Sequence, residues 1–217
     1  MTEFWEESFR DKQSMWGFAP TDSAVATLHL FQQHGIQEIL VPGFGYGRNA
    51  KLFTDNGFSV TGIEISATAI ALAKKHYGED IQVYHGSVSD MPFDQKLYDG
   101  IFCYALIHLL DEKERAKLIS DCYQQLRPEG YMVFVALSKS TASYGEGTPL
   151  GKDRFESRHG VKLFYYDAAS VDTAFGKYGL MEAKEISEPA NPPDHKPSQQ
   201  FWYISCRKKE NKSDRHA

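Results

Sequence analysis

Along most of the chain, short apolar runs alternate with stretches in which apolar residues recur at helical spacing. Ile39, Leu40 and Val41 are apolar at three successive positions, the pattern of a strand buried on both faces. Ahead of them, Asp22 is suited to cap a helix whose apolar face is Ala24, Val25, Leu28 and Phe31. Behind them, residues 43–47 make a glycine-rich turn, and Ala50, Leu52 and Phe53 follow on a helix closed by Asn56-Gly57. Residues 58–63 alternate apolar with small or polar side chains and predict a second strand. Ser66 then caps a helix carrying Ile70, Ala73 and Tyr77, which stops at Gly78.

Residues 81–85, 100–103 and 131–136 predict strands three, four and five. Between the last two, Asp111 and Glu114 have the spacing of a capping box for a helix with Leu118, Ile119, Cys122 and Leu126 on its core face. Pro128 and Gly130 break that helix. Strands alternating with helices of this length predict an α/β fold with a doubly wound, mostly parallel sheet. Residues 138–160 differ in kind: polar, glycine-containing and weakly periodic, they read as a loop. That loop follows a strand's C-terminal end, where open α/β sheets place their ligands. Asp167 caps a further helix with Val171, Phe175 and Tyr178, stopped by Gly179. Two final strands, residues 181–187 and 201–206, bracket a proline-bearing loop with Pro189, Pro192, Pro193 and Pro197. A connection without a helix suits an antiparallel pair, which brings the sheet to seven strands.

The chain has 217 residues, which suits a single domain over residues 1–207, with an aromatic N-terminal arm over 1–21 and a polar, disordered tail over 208–217. Arg207, Lys208 and Lys209 then belong to a solvated, frayed end. A formal net charge of −5 disfavours nucleic acid as a partner, because phosphate binding draws on clustered Lys and Arg. No apolar run approaches the ~20 residues that span a bilayer, so no membrane partner is expected. The first ten residues hold Glu3, Glu6 and Glu7 and lack the apolar stretch of a signal peptide. Cys103, Cys122 and Cys206 are odd in number and far apart, and His85, His159 and His195 show no ligand spacing. The expected setting is reducing and cytoplasmic, with no metal.

The candidate chemistry begins at the turn Val41-Pro42-Gly43-Phe44-Gly45-Tyr46-Gly47. Glycines let backbone N–H groups approach a ligand, and a helix N-terminus favours its negative groups. Glu64 ends strand two beyond that turn, where a carboxylate can accept hydrogen bonds from two ribose hydroxyls. These two features are followed in order by Gly86 through Met91-Pro92-Phe93, by Tyr98-Asp99, and by Leu126-Arg127-Pro128-Glu129-Gly130. The series resembles the class I S-adenosylmethionine (SAM)-dependent methyltransferases from about Ile39 to Leu137. The Val-Pro-Gly turn and the arm Trp16-Gly17-Phe18-Ala19-Pro20 look like the thiopurine and tellurite-resistance branch.

The resemblance implies a cofactor, SAM, and a small-molecule methyl acceptor. It implies that Gly43, Gly45 and Gly47 wrap the methionine and ribose portions, that Glu64 holds the ribose, and that Ile65 packs on adenine. Ser87 and Val88 would lie at the adenine edge, and Cys103 with Tyr104 would close the methionine side. Two departures stand out. Many relatives carry an acid where Val41 stands, which leaves the SAM ammonium to backbone carbonyls, and many carry Asp where Ser87 stands. The missing acid at Val41 raises the alternative of a SAM-binding protein without turnover. A nicotinamide-dependent oxidoreductase is the other alternative, but its turn wants G-x-G-x-x-G, and here the glycines are spaced evenly by two.

Methyl transfer to a heteroatom is an in-line displacement that positioning alone can largely accelerate, so a general base is needed only if the acceptor keeps its proton. Tyr104, at the end of strand four, is the first candidate to touch cofactor or acceptor. His108 is either a base near the methyl or a structural histidine. Glu146 is either an acceptor-side acid or a solvated loop acid. Arg48 either pairs with the methionine carboxylate or lies on the helix surface. Trp16, with Trp5, Phe9 and Phe18, either closes over a sulfonium or staples the arm to the body.

Overall fold

Alternate residues of the central strands are buried on opposite sides, and each side has its own helical cover. Ile39, Val41, Phe102, Val133, Val135 and Leu137 face one layer, whereas Leu40, Ile101, Cys103, Met132, Phe134 and Ala136 face the other. A strand buried twice needs apolar side chains at every position. The computed structural model describes residues 2–14, 16–192 and 197–210. Pro193 and His195, and the tail from residue 211 onward, lie outside the described residues.

The strands run β1 (Glu38–Pro42), β2 (Ser59–Glu64), β3 (Gln82–His85), β4 (Tyr98–Tyr104), β5 (Leu126–Leu137), β6 (Thr148–Gly151), β7 (Arg154–Glu156), β8 (Lys162–Phe164), β9 (Leu180–Glu188) and β10 (Gln199–Arg207). The helices are α1 (Thr2–Lys12), α2 (Asp22–Gln33), α3 (Arg48–Asp55), α4 (Ala67–Tyr77), α5 (Glu112–Gln124) and α6 (Ala168–Phe175). The main sheet has seven strands in the order β3-β2-β1-β4-β5-β10-β9. β1 pairs in parallel with both β2 and β4, and β10 pairs antiparallel with β5 and β9. The fold is therefore the doubly wound, mostly parallel sheet with an antiparallel C-terminal pair that the pattern predicts. Its direction of winding reverses between β1 and β4, which opens a crevice beyond their carboxyl ends.

Four local expectations are corrected. Thr21, not Asp22, is the N-cap of α2: its hydroxyl accepts from Ala24 N at 3.2 Å, while the Asp22 carboxylate accepts from Ala190 N at 2.7 Å. Val25 is exposed rather than on the buried face. Leu126 is buried in β5 rather than on α5, and Pro128 and Gly130 lie inside that strand, where an irregular register and Glu129 at φ +67° bend the chain. Residues 138–160 are not wholly loop. They hold β6 and β7, which join β8 in a separate antiparallel sheet. All of β6 is exposed, so no inside–outside alternation marks it in the sequence. Lys139 pins this flap by bridging Asp153 at 2.7 Å and Asp167 at 2.6 Å.

Lys208 is not frayed. Its ammonium donates to the carbonyls of Tyr123 at 2.9 Å and Leu126 at 2.6 Å, next to the C-terminus of α5, where a cation is favoured. At the same edge of the sheet, Asp99 accepts from Gln37 N and Glu38 N, and Arg127 donates to Asp99 and Glu38 at 2.6 Å each. Asp99 and Arg127 thus brace the start of the central strands, away from the crevice.

Candidate active site

The glycine turn is shaped by β2 before any ligand is considered. Gly43 N and Phe44 N both donate to Ile63 O, at 2.9 and 3.0 Å, so the turn begins folded over the neighbouring strand. Gly43, Gly45 and Gly47 all adopt positive φ, which side chains with a Cβ rarely tolerate. They differ in surroundings. A Cβ on Gly43 would meet Leu106 at 3.1 Å, and one on Gly47 would meet the Phe44 ring at 2.9 Å. A Cβ on Gly45 would find its nearest neighbour, the Phe9 ring, at 4.0 Å, so the turn opens there toward the arm.

Glu64, at the end of β2, is 6% exposed. Its two oxygens accept one backbone N–H each, Gly45 at 2.7 Å and Ser66 at 2.9 Å. Burial raises its ionisation above the usual carboxylate range, and the hydrogen bonds from Ser66 and Gly45 oppose that rise. A carboxylate offers about four lone-pair sites, and the two backbone donors leave room for two more. Ile65 follows at the crevice with part of its surface open. Ser87 caps a short 3-10 turn by accepting Ser89 N at 3.2 Å, and Val88 is buried behind it. The sequence expectation brought these residues to one edge, and the fold does so.

At the end of β4 the side chains divide. Cys103 points into the core with no exposure, and burial raises its thiol well above the ordinary range. A ligand in the crevice could reach its backbone but not its sulfur. Tyr104 points the other way and keeps part of its surface open, and Ala105 follows at φ +52°. Such strain in a residue other than glycine is commonly tolerated beside functional groups. His108 is buried: Leu137 N donates to its Nδ1 at 3.3 Å, and burial lowers its pKa to about 3. Its proton therefore sits on Nε2, and the ring stays neutral across the physiological range. Glu146 is exposed at the tip of the chain reversal before β6, and the fold does not bring it to Tyr104.

The arm lies over the glycine turn. Phe9 of α1 is buried with Tyr46 and Ala69. Trp16 is 43% exposed but stacks on Tyr46, with ring centroids 6.2 Å apart and planes 11° from parallel. Polar ties hold the arm down: Arg48 Nη1 donates to Trp16 O at 3.0 Å, Tyr46 OH to Gly17 O at 2.6 Å, and Ser66 Oγ to the Glu6 carboxylate at 2.6 Å. Arg48 thus reaches the site from the first turn of α3. Among the described residues, no cluster of three His, Cys, Asp or Glu could hold a metal ion.

One buried carboxylate at this edge escaped the sequence reading. Glu188 ends β9, which runs parallel to β5, so its carboxylate arrives at the same edge as Tyr104. It is buried and accepts Ser23 N and Ser23 Oγ at 2.9 Å each, and burial with the nearby Glu188 charge raises the ionisation of Tyr104. The only signal was an acid at the end of an otherwise unremarkable edge strand. Nothing local told it from Glu182 or Glu185.

Residues 40–134 match the family model described as a methyltransferase domain. Over that stretch the chain is similar to a methyltransferase domain. A probable SAM-dependent methyltransferase of Mycolicibacterium smegmatis is 28% identical over 115 residues, covering 52% of this chain and 43% of that protein. Thiocyanate methyltransferase 1 of Arabidopsis thaliana is 24% identical over 133 residues, 59% of each chain. The match thus spans about half the length of such curated relatives. Among solved structures, the 1,6-didemethyltoxoflavin-N1-methyltransferase of Burkholderia thailandensis, with S-adenosylhomocysteine bound, superposes with a TM-score of 0.72. It is 15% identical, and the overlap covers 96% of this chain and 87% of that one. At that identity the likeness speaks for the fold. The methyltransferase domain's cofactor suits what stands at the crevice: a turn open at Gly45, and a buried carboxylate with lone pairs to spare.

Proposed function

We propose that this protein transfers a methyl group from SAM to a sulfur, nitrogen or oxygen atom of a small molecule. The observation that carries the reading is the pairing of Glu64 with the open turn at Gly45, at the crevice where the sheet's winding reverses. SAM, when bound, supplies an electrophilic methyl on a positively charged sulfur. Glu64 would hold the ribose hydroxyls, Ile65 and Val88 would pack on adenine, and Ser87 would serve its polar edge. The turn at Gly43, Gly45 and Gly47 would cradle the remainder, with backbone groups of Val41 and Cys103 toward the methionine end.

The acceptor would lie beyond Tyr104, bounded by Arg48 and the arm on one side and by the flap of β6 to β8 on another. His108 is too weak a base for neutral pH, and its hydrogen bond to Leu137 N makes it a brace for the β5 edge. Holding the acceptor in line and excluding water then supplies most of the acceleration. The test is calorimetric titration with SAM and S-adenosylhomocysteine, followed by radiolabelled methyl transfer to a panel of thiols, amines and phenols. Binding in the micromolar range with transfer to one class is the expected result. NADH binding in preference to SAM would sink the reading.

A further inference from the structure

The N-terminal arm carries the acids Glu3, Glu6 and Glu7, and they differ in what they reach. Glu7 lies near Arg10 of its own helix, at 3.9 Å. Glu6 crosses to the body: its Oε2 accepts Ser66 Oγ at 2.6 Å and Thr68 N at 3.3 Å, and its Oε1 accepts the Thr68 hydroxyl. Ser66 and Thr68 open α4, where backbone N–H groups lack helical partners and a negative charge is favoured. The hydrogen bonds from Ser66 and Thr68 hold the Glu6 carboxyl below the usual range. Ser66 carries this contact on to the crevice. Its hydroxyl accepts Ala69 N at 3.1 Å, which leaves its one proton for Glu6, a group that when ionised can only accept. Its backbone N–H donates to Glu64 Oε1 at 2.9 Å, and the other oxygen of Glu64 takes Gly45 N at 2.7 Å. A run of hydrogen bonds therefore passes from the arm to α4, to the end of β2 and to the glycine turn. One helical turn beyond Glu6, Phe9 packs with Ala69 of α4 and Tyr46 of the glycine turn, so one face of α1 meets both.

We propose that Glu6 is a positioning residue for the cofactor site: by holding Ser66 it sets the Glu64 carboxylate, so that docking of the arm and the grip on the ribose are one event. This inference rests on the methyltransferase reading and names what governs that site. A mere cover would shield every part of the ligand alike. Glu6 instead acts on one group, and its influence should vanish when that group is removed. Without Glu6, the Ser66 and Thr68 hydroxyls turn to water, α4 loses an anchor at its N-terminus, and the Ser66 N–H that fixes one Glu64 oxygen is free to shift. Burial raises the ionisation of Glu64, and the Ser66 and Gly45 donors oppose that rise, so its readiness to accept two ribose hydroxyls depends on where those donors stand. The coupling is reciprocal: a ligand on Glu64 should tighten Glu6 on α4 by the same factor.

The test is a double-mutant cycle read by calorimetry with S-adenosylhomocysteine, together with amide hydrogen exchange followed by NMR. Glu6→Ala should weaken S-adenosylhomocysteine binding at least fivefold in the wild-type background and less than twofold when Glu64→Ala is also present. In the ligand-free protein, Glu6→Ala should speed exchange at Ser66 N–H and Gly45 N–H at least tenfold. Glu6→Gln, whose amide oxygen can still accept, should restore part of that protection. Bound S-adenosylhomocysteine should slow exchange at Thr68 N–H in the wild type and not in Glu6→Ala. An equal loss of affinity in both Glu64 backgrounds, or unchanged exchange at Ser66 and Gly45 in Glu6→Ala, overturns the proposal and leaves the arm a cover. A wild type that does not bind S-adenosylhomocysteine sinks the methyltransferase reading instead, and exchange at Ser66 and Gly45, which needs no ligand, still decides whether Glu6 sets Glu64.

Discussion

Glu64 accepts the backbone N–H of Gly45 at 2.7 Å, across the mouth of the glycine turn. One contact thus joins the acid at the end of β2 to the one glycine of the turn whose missing side chain leaves open space. Burial already raises this carboxyl, so the protein keeps it at some cost to stability, which is expected of a group retained for a ligand. Glu64→Ala should weaken S-adenosylhomocysteine binding about ten- to a hundredfold, or about 1.5–3 kcal/mol for a lost charged hydrogen-bond acceptor. Calorimetry on the folded variant checks this, and unchanged affinity would remove the ribose assignment.

Gly45→Ala separates the turn's conformation from its contact with ligand. The new Cβ meets no protein atom closer than 4.0 Å, but the residue sits at φ +58°. The backbone strain should cost about 1 kcal/mol in stability, a few degrees in Tm. Cofactor affinity should fall much further, because the methyl group intrudes where the turn opens. Loss of stability alone, with affinity intact, would mean that the turn does not cradle the ligand.

His108 yields a prediction about pH. Its ionisation lies near 3 in the folded protein, far below that of an unperturbed histidine. The folded pKa is depressed, so for a base the stability cost of keeping the ring neutral appears as pH falls below the unfolded value near 6.5. Turnover measured between pH 5 and 9 should contain no limb belonging to His108. His108→Gln, which can still accept from Leu137 N, should leave the shape of the pH profile unchanged. A limb that disappears in this variant would restore the histidine as a base.

For the arm, burial separates two aromatic residues that look alike in sequence. Phe9 packs under Tyr46 and Ala69, so Phe9→Ala should cost about 3–5 kcal/mol. Trp16 is partly exposed and tied through its backbone by Arg48, so Trp16→Ala should barely move the ligand-free Tm. If the segment is a lid, hydrogen exchange across residues 4–14 and 16–20 should slow when S-adenosylhomocysteine binds. Equal exchange in both states, with a large loss of ligand-free stability in Trp16→Ala, would make the tryptophan a structural staple.

Asp167 tests what holds the flap. It caps α6 by accepting Ser170 N at 2.8 Å and pairs with Lys139 at 2.6 Å. The Lys139 ammonium and the Ser170 hydrogen bonds hold its carboxyl far below the usual range. A depressed folded pKa contributes stability above the unfolded value near 3.9, and that contribution is lost as pH falls toward the folded value. Asp167→Ala should cost about 1 kcal/mol, mainly through the lost cap. The difference in Tm between wild type and variant should narrow below pH 4.

The sequence by itself determined the central sheet, because burial on two faces leaves a run such as Ile39, Leu40 and Val41 no other role. It also determined the capping box at Asp111 and Glu114 and the cap at Ser66, since each is a contact among residues close along the chain. Where local preference was degenerate, the sequence misjudged the structure. Thr21 and Asp22 can both cap a helix, and the approach of Ala190, 168 residues away, draws the aspartate off. β6 is exposed at every position and β7 is half-buried throughout, so no inside–outside period marks them. His108 passed for a base until its burial beside Leu137 N was known. The convergence of Arg48, Tyr104, Glu188 and Ser23 was decided by tertiary structure alone. Those four positions are spread over 166 residues, and only the parallel course of β9 and β4 carries Glu188 to the same edge of the sheet as Tyr104.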